Sequence, residues 1–267
     1  MALNQVIMTL DQLISDVVYN KDIHNLLTQL DLTQPEGEIV QFQFKECREH
    51  RTSIDTEGFQ VGEPFDGDIE NAPILFLSSN PSFDFDEVSP RCFPNSGEIF
   101  MPKHIDVKTK KQVPEEKMSF AEIKKFLKTR IQISQARDDQ DQTLRIPLKN
   151  GGTKAVDYWG SVRNNTELIL PIDDLKKNKW TGLNQSQIAR KIMEYAVCME
   201  IIPFKSKSSI GVNDKLFDKC WIDFTKHLLE LSGAEVFVLV GEKVFNVFTR
   251  QLAVSDGDTT GISTSGI

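Results

Sequence analysis

The sequence predicts an α/β fold, a three-layer sandwich with a mainly parallel central sheet flanked by helices on both faces. Three short, continuous apolar runs predict it, at 74–77, 196–202 and 236–240. Each is bounded by polar or turn residues and lies next to a stretch of helical periodicity. An apolar run without alternation suits a strand buried on both faces, and strands that alternate with helices favour parallel pairing. At 267 residues the chain is near the upper end of what one core serves. A single domain spanning 1–267 is therefore expected, with a helical extension at 1–35 and an insertion at 101–154.

In order along the chain, Val6, Ile7, Leu10, Leu13, Ile14, Val17 and Val18 recur at three- and four-residue spacing. They predict an amphipathic helix over about 4–30, with a break near 19–21. Residues 32–72 are rich in glycine and acidic groups, with an alternating segment at 39–44 that reads as an edge strand. Helices are expected at 118–134, 156–169, 185–195, 214–232 and 244–252. Asn184 followed by Gln187 forms the pattern of a capping box for the third of these. The stretch 101–154 is polar and charge-mixed, and reads as an elaborated insertion rather than sheet. The Gly/Ser/Thr-rich tail has no apolar period and reads as a loop.

Composition excludes several classes. No apolar run approaches the roughly 20 residues of a membrane-spanning helix, so no membrane partner is expected. The first residues lack the basic start and cleavage site of a secretory signal, which points to the cytoplasm. Cys47, Cys92, Cys198 and Cys220 contain no CxxC pair, so no zinc ribbon, iron–sulfur cluster or other cofactor is expected. The net charge of −8 excludes a globally basic surface for nucleic acid, although a local basic cluster suffices for that purpose.

In an open parallel sheet, ligands bind beyond the carboxyl ends of the strands. The first run is followed by Ser78, Ser79, Asn80, Pro81, Ser82 and Phe83. The second leads into Pro203, Phe204, Lys205, Ser206, Lys207, Ser208 and Ser209, and the third into Gly241, Glu242 and Lys243. Taken singly, Asn80-Pro81 is a turn, the 205–209 stretch a solvated loop and Gly241 a strand-to-helix turn. Their joint placement at three strand ends marks a site. Two cations and three hydroxyls in five residues suit Lys205, Ser206, Lys207 and Ser208 to clamping phosphates. Lys243 at a helix start suits a further phosphate contact. Arg163 and the Lys176, Lys177 and Lys179 run read as solvated charge.

The strand ending in N-P-S, the helix start Tyr158-Trp159-Gly160-Ser161-Val162-Arg163, and the segments EIIPFKSKSSIGV and AEVFVLVGEKV together resemble the uracil-DNA glycosylase superfamily. The likeness is to branches whose first motif reads G-x-N-P-G, with Ser78 in place of the glycine, and it covers about 73–100 and 156–250. The resemblance implies an enzyme that everts a nucleotide from DNA and hydrolyses its N-glycosidic bond without a metal. It implies that Asn80 orients the attacking water, that Pro81 and Ser82 wall the pocket, and that Phe83 or Phe85 stacks on the base.

Glu200 falls where several uracil-removing relatives carry a base-reading asparagine. Ionised, it offers acceptors only, which disfavours uracil and favours a base with an exocyclic amine or a modified base. The alternative role is water activation, and a buried glutamate then needs a raised pKa or a partner, for which Lys205 and Lys207 are the sequence candidates. The chain departs from the family in its histidines: none of His24, His50, His104 and His227 precedes proline, whereas the family carries a second His-Pro loop. Two other readings remain open. One is a non-catalytic module of the same fold that binds nucleic acid or protein. The other is a phosphate-ester site in which Asp84, Asp86 and Glu87 hold Mg²⁺.

Overall fold

A computed structural model describes residues 9–18, 59–79, 84, 86–93, 96, 98–130, 144–201 and 219–249. In chain order these form α1 (Leu10–Val18), β1 (Phe59–Gln60), β2 (Phe65–Asp66), β3 (Ile74–Ser78), β4 (Arg91–Cys92), β5 (Ile99–Met101), β6 (His104–Ile105), β7 (Gln112–Val113) and β8 (Glu116–Lys117). There follow α2 (Phe120–Thr129), β9 (Arg145–Pro147), β10 (Thr153–Ala155), α3 (Asp157–Ile169), α4 (Ile172–Asn178) and α5 (Gln185–Met193). The last elements are β11 (Ala196–Glu200), α6 (Lys219–Leu231), β12 (Val236–Leu239) and α7 (Glu242–Val247).

The fold is mixed α/β. Its principal sheet has the order β12-β3-β11-β2, with β3 parallel to both β11 and β12 and β2 antiparallel at one edge. The three apolar runs are its three parallel strands. Because side chains alternate along a strand, β3 and β11 each feed two hydrophobic clusters. Leu75, Leu77, Val197 and Met199 pack with Leu13 and Ile14 of α1, Ile123 and Leu127 of α2, Leu228 of α6 and Val244 of α7. Ile74, Phe76, Ala196 and Cys198 pack with Trp159 and Val162 of α3 and with Ala189 and Met193 of α5. The strands in the middle of this arrangement are therefore buried on both sides, which is why their sequences do not alternate.

Local chemistry sets the helix limits. Ser119 and Glu122 form a reciprocal capping box, so α2 starts at Phe120; it is described to Thr129, and residues 131–134 of the expected helix lie outside the described residues. Asn184 and Gln187 form the expected box at the start of α5. The short helix α4, entered through Pro171, turns the expected charge run at Lys176 and Lys177 into a solvated helix face. Of the helix expected over 4–30, α1 is the described part. The expected strand at 39–44, residues 214–218 and the tail lie outside the described residues.

The insertion differs from expectation. Far from lacking strands, it contributes β8 and the last residue of β5 to an antiparallel sheet with β1 and β4, and it holds the hairpin β6–β7 and nearly all of the hairpin β9–β10. These strands are two or three residues long and mostly polar. They are held by backbone pairing, so no apolar period announces them.

Gly67 joins β2 to the rest. Its φ is +113°, and a Cβ there would meet the Ala196 carbonyl oxygen at 2.9 Å. Gly67→Ala is expected to destabilise the protein by about 2–3 kcal/mol through strain and backbone collision. Urea denaturation checks this, and an unchanged midpoint would show that the turn can relax.

Candidate functional site

Buried polar groups gather at the carboxyl ends of the central strands. Ser78 ends β3 and Glu200 ends β11, and the two are register partners. The Ser78 hydroxyl donates a short hydrogen bond to Glu200 Oε2. Glu200 is only 8% exposed, and its backbone N–H is bonded to the Pro64 carbonyl beside β2. Burial is the main influence on its carboxyl group. The Ser78 hydrogen bond favours ionisation, the nearby Asp66 and Glu63 oppose it, and Arg130 favours it. The balance pushes the pKa up to about 8. At neutral pH Glu200 is therefore chiefly a neutral acid that can donate as well as accept.

Tyr158 enters from the first turn of α3. Burial raises its phenol pKa well above the ordinary value, and Cys198 and Glu200, once ionised, add to the effect. Its hydroxyl is enclosed near Ser78 and Cys198 without a hydrogen bond of good geometry. Burial likewise drives the Cys198 thiol pKa well up, which leaves it unreactive as a nucleophile.

Beside this group lies an ionic hub. Arg130, which follows α2, donates from Nη1 to Glu63 and to both carboxylate oxygens of Asp66, at 3.1 and 3.0 Å. From Nη2 it donates to Glu87. Glu63 and Glu87 are buried, and the guanidinium carbon lies 5.6 Å from the Trp159 ring centroid and 6.0 Å from that of Phe126. A planar fork with donors on separate nitrogens reaches carboxylates at separated positions, whereas an ammonium concentrates its donors on one atom. The neighbouring carboxylates in turn explain part of the proton retention at Glu200.

Among the predicted site residues, Glu200 is confirmed as buried at the strand end. Its observed partner is Ser78; the sequence candidates Lys205 and Lys207 lie outside the described residues. Asn80, Pro81, Ser82, Phe83, Phe85, Ser206 and Ser208 lie outside them as well. Lys243 belongs to the first turn of α7, which is led by Glu242, and Gly241 makes the turn before it with φ +96°. His227 sits on α6 and pairs with Glu230 at 3.4 Å, a helix-surface role.

The carboxylates proposed for Mg²⁺ do not converge. Glu87 is turned to Arg130, while Asp84 pairs with Lys154 at 2.6 Å and accepts the Asp86 backbone N–H. Among the described residues, no group of three or more His, Cys, Asp or Glu side chains is arranged to hold a metal. No helix among them is long and apolar enough to cross a membrane.

Sequence reasoning missed Ser78, Tyr158, Arg130, Glu63 and Asp66 as parts of this site. Ser78 stood in the strand-end stretch, where the resembled motif has glycine, without a chemical role of its own. Arg130 carries no local signal, because its three partners come from other parts of the chain. Comparison of the chain with family models, with curated proteins and with solved structures gives no match in any of the three.

Proposed function

We propose that this chain is a glycosylase-like hydrolase, built as a three-layer sandwich, that cleaves the N-glycosidic bond of an everted base in DNA. The observation that carries the reading is Glu200: a buried carboxyl, its pKa pushed up to about 8 by burial, in register with Ser78 at the carboxyl end of the parallel strands. As the glycosidic bond breaks, negative charge builds on the departing base and positive charge on the sugar. A neutral acid at this place donates a hydrogen bond or a proton to the base, and it acts before ionisation removes that ability. Asn80, two residues beyond Ser78, orients the attacking water in this reading.

The protonated state changes the expectation about the base. The case against uracil assumed an ionised carboxylate with acceptors only. A neutral carboxyl presents one donor and one acceptor, so a base edge with an adjacent N–H and carbonyl is compatible, as are amine-bearing and modified bases.

The test is a panel of single- and double-stranded oligonucleotides, each carrying one candidate base, followed by alkaline cleavage of abasic sites. Abasic product is expected for at least one base, with a loss of about 100-fold or more in Asn80→Ala and a change of base preference in Glu200→Asn. Absence of product on every base would overturn the hydrolase reading. Binding without cleavage, unaffected by Asn80→Ala, would instead favour a non-catalytic module.

A further inference from the structure

We infer that the β6–β7 hairpin is a docking surface for the phosphate backbone of a nucleic acid. In a chain of net charge −8, residues 103–111 hold Lys103, Lys108, Lys110 and Lys111 with a single acid, Asp106. All four lysines are exposed. Asp106 is spent on the turn: its Oδ1 accepts from the backbone N–H groups of Lys108 and Thr109 and from the Thr109 hydroxyl, at 3.1, 2.6 and 2.8 Å. The acid therefore shapes the loop that projects the cations.

The turn also holds a lysine where a glycine or asparagine is easier. Lys110 has φ +57°, the only non-glycine residue with positive φ among those described. Such a conformation costs about 1 kcal/mol or more for an ordinary side chain.

The hairpin is held firmly. The Ile105 N–H bonds to the Lys149 carbonyl at 2.9 Å, and Lys110 Nζ reaches the Gly151 carbonyl at 3.1 Å. A Cβ at Gly151 would meet Ile105 Cγ2 at 2.7 Å, so the two hairpins are in close contact. The β9–β10 hairpin is in turn tied to residues 86–88, through Lys149 N–H to the Asp86 carbonyl at 2.8 Å and Val88 N–H to the Pro147 carbonyl at 3.0 Å, and Glu87 between them meets Arg130 of the ionic hub. The cations are thus carried on a rigid arm connected to the strand-end site. Among the described residues, the exposed large apolar side chains are Leu168, Ile169, Val236, Phe237 and Val240, none on this arm. With no exposed large apolar side chain on the described part of this arm, binding there is electrostatic, which suits the dense phosphate charge of a nucleic acid.

The experiment measures binding of the full chain to a labelled unmodified duplex and to the same single strand, by fluorescence anisotropy between about 50 and 200 mM salt. Simultaneous Lys103→Gln, Lys108→Gln, Lys110→Gln and Lys111→Gln should weaken duplex binding at least tenfold at the lower salt. It should also reduce the slope of log K against log salt by about 3 to 4. The corresponding four arginine substitutions should retain both, and Glu115→Gln with Glu116→Gln should tighten binding. Equal affinity and slope in wild type and the glutamine variant would overturn the inference. So would absence of binding to either nucleic acid, or binding only to phosphatidylserine-containing vesicles. The inference stands apart from the hydrolase reading. Binding that depends on these lysines with no abasic product would sink the chemistry and keep the surface, and cleavage with an unchanged salt slope would do the reverse.

Discussion

Arg130→Met is expected to be the most damaging single substitution in the described structure, with a loss of about 3–5 kcal/mol in unfolding free energy or failure to fold. The reason is the number of charges that one cation serves. Glu63, Asp66 and Glu87 come from three places in the chain and share the guanidinium. Methionine fills much of the volume but removes the positive charge and all the donors, so the carboxylates face each other in a poorly hydrated place. Burial alone disfavours a buried cation, yet the three carboxylates together hold the Arg130 pKa well above its ordinary value. Arg130→Lys should recover only part of the loss, because one ammonium cannot reproduce bonds from two separate nitrogens. The variant should also gain relative to wild type as pH falls, since protonation of any of the three carboxyls relieves the repulsion. Urea denaturation at several pH values checks both points. A loss below about 1 kcal/mol would mean that other contacts of these carboxylates carry the hub.

Glu200→Gln should remove a pH dependence that the wild-type protein carries. The carboxyl pKa rises from 4.5 to about 8 on folding. Between those values the folded state binds more protons than the unfolded one, so unfolding free energy falls as pH rises through this window. The contribution is fully present below about 4.5 and lost above about 8. Glutamine has the shape of the protonated acid without its titration. The stability of Glu200→Gln relative to wild type should therefore rise by about 4 kcal/mol between pH 5 and pH 9, read from paired urea melts. If Glu200 is the proton donor of the proposed hydrolysis, wild-type turnover should fall above pH about 8. Turnover that increases through the same range would assign it to water activation as a base instead. A stability difference that stays flat with pH would show that the side chain ionises normally and would remove the basis for either role.

Much of the frame was legible in the sequence because its signals are local. The runs at 74–77 and 236–240 became β3 and β12 with their limits nearly as expected, and 196–202 became β11. The Asn184–Gln187 pair identified the start of α5, since a capping box is closed within four residues. The insertion was misread for the converse reason. Its short polar strands are specified by pairing with distant backbone, and their own residues have no period to detect.

What the sequence determined by itself is the set of parallel strands, their adjoining helices and a glutamate at a strand end, all of which follow from side-chain period and capping. Only the tertiary structure decided what that glutamate is chemically. Ser78 lies 122 residues from Glu200, and Glu63 lies 67 from Arg130. A proton's affinity for a carboxyl depends on the water removed from it and on charges within a few ångströms. Those conditions exist only once remote segments have been packed together.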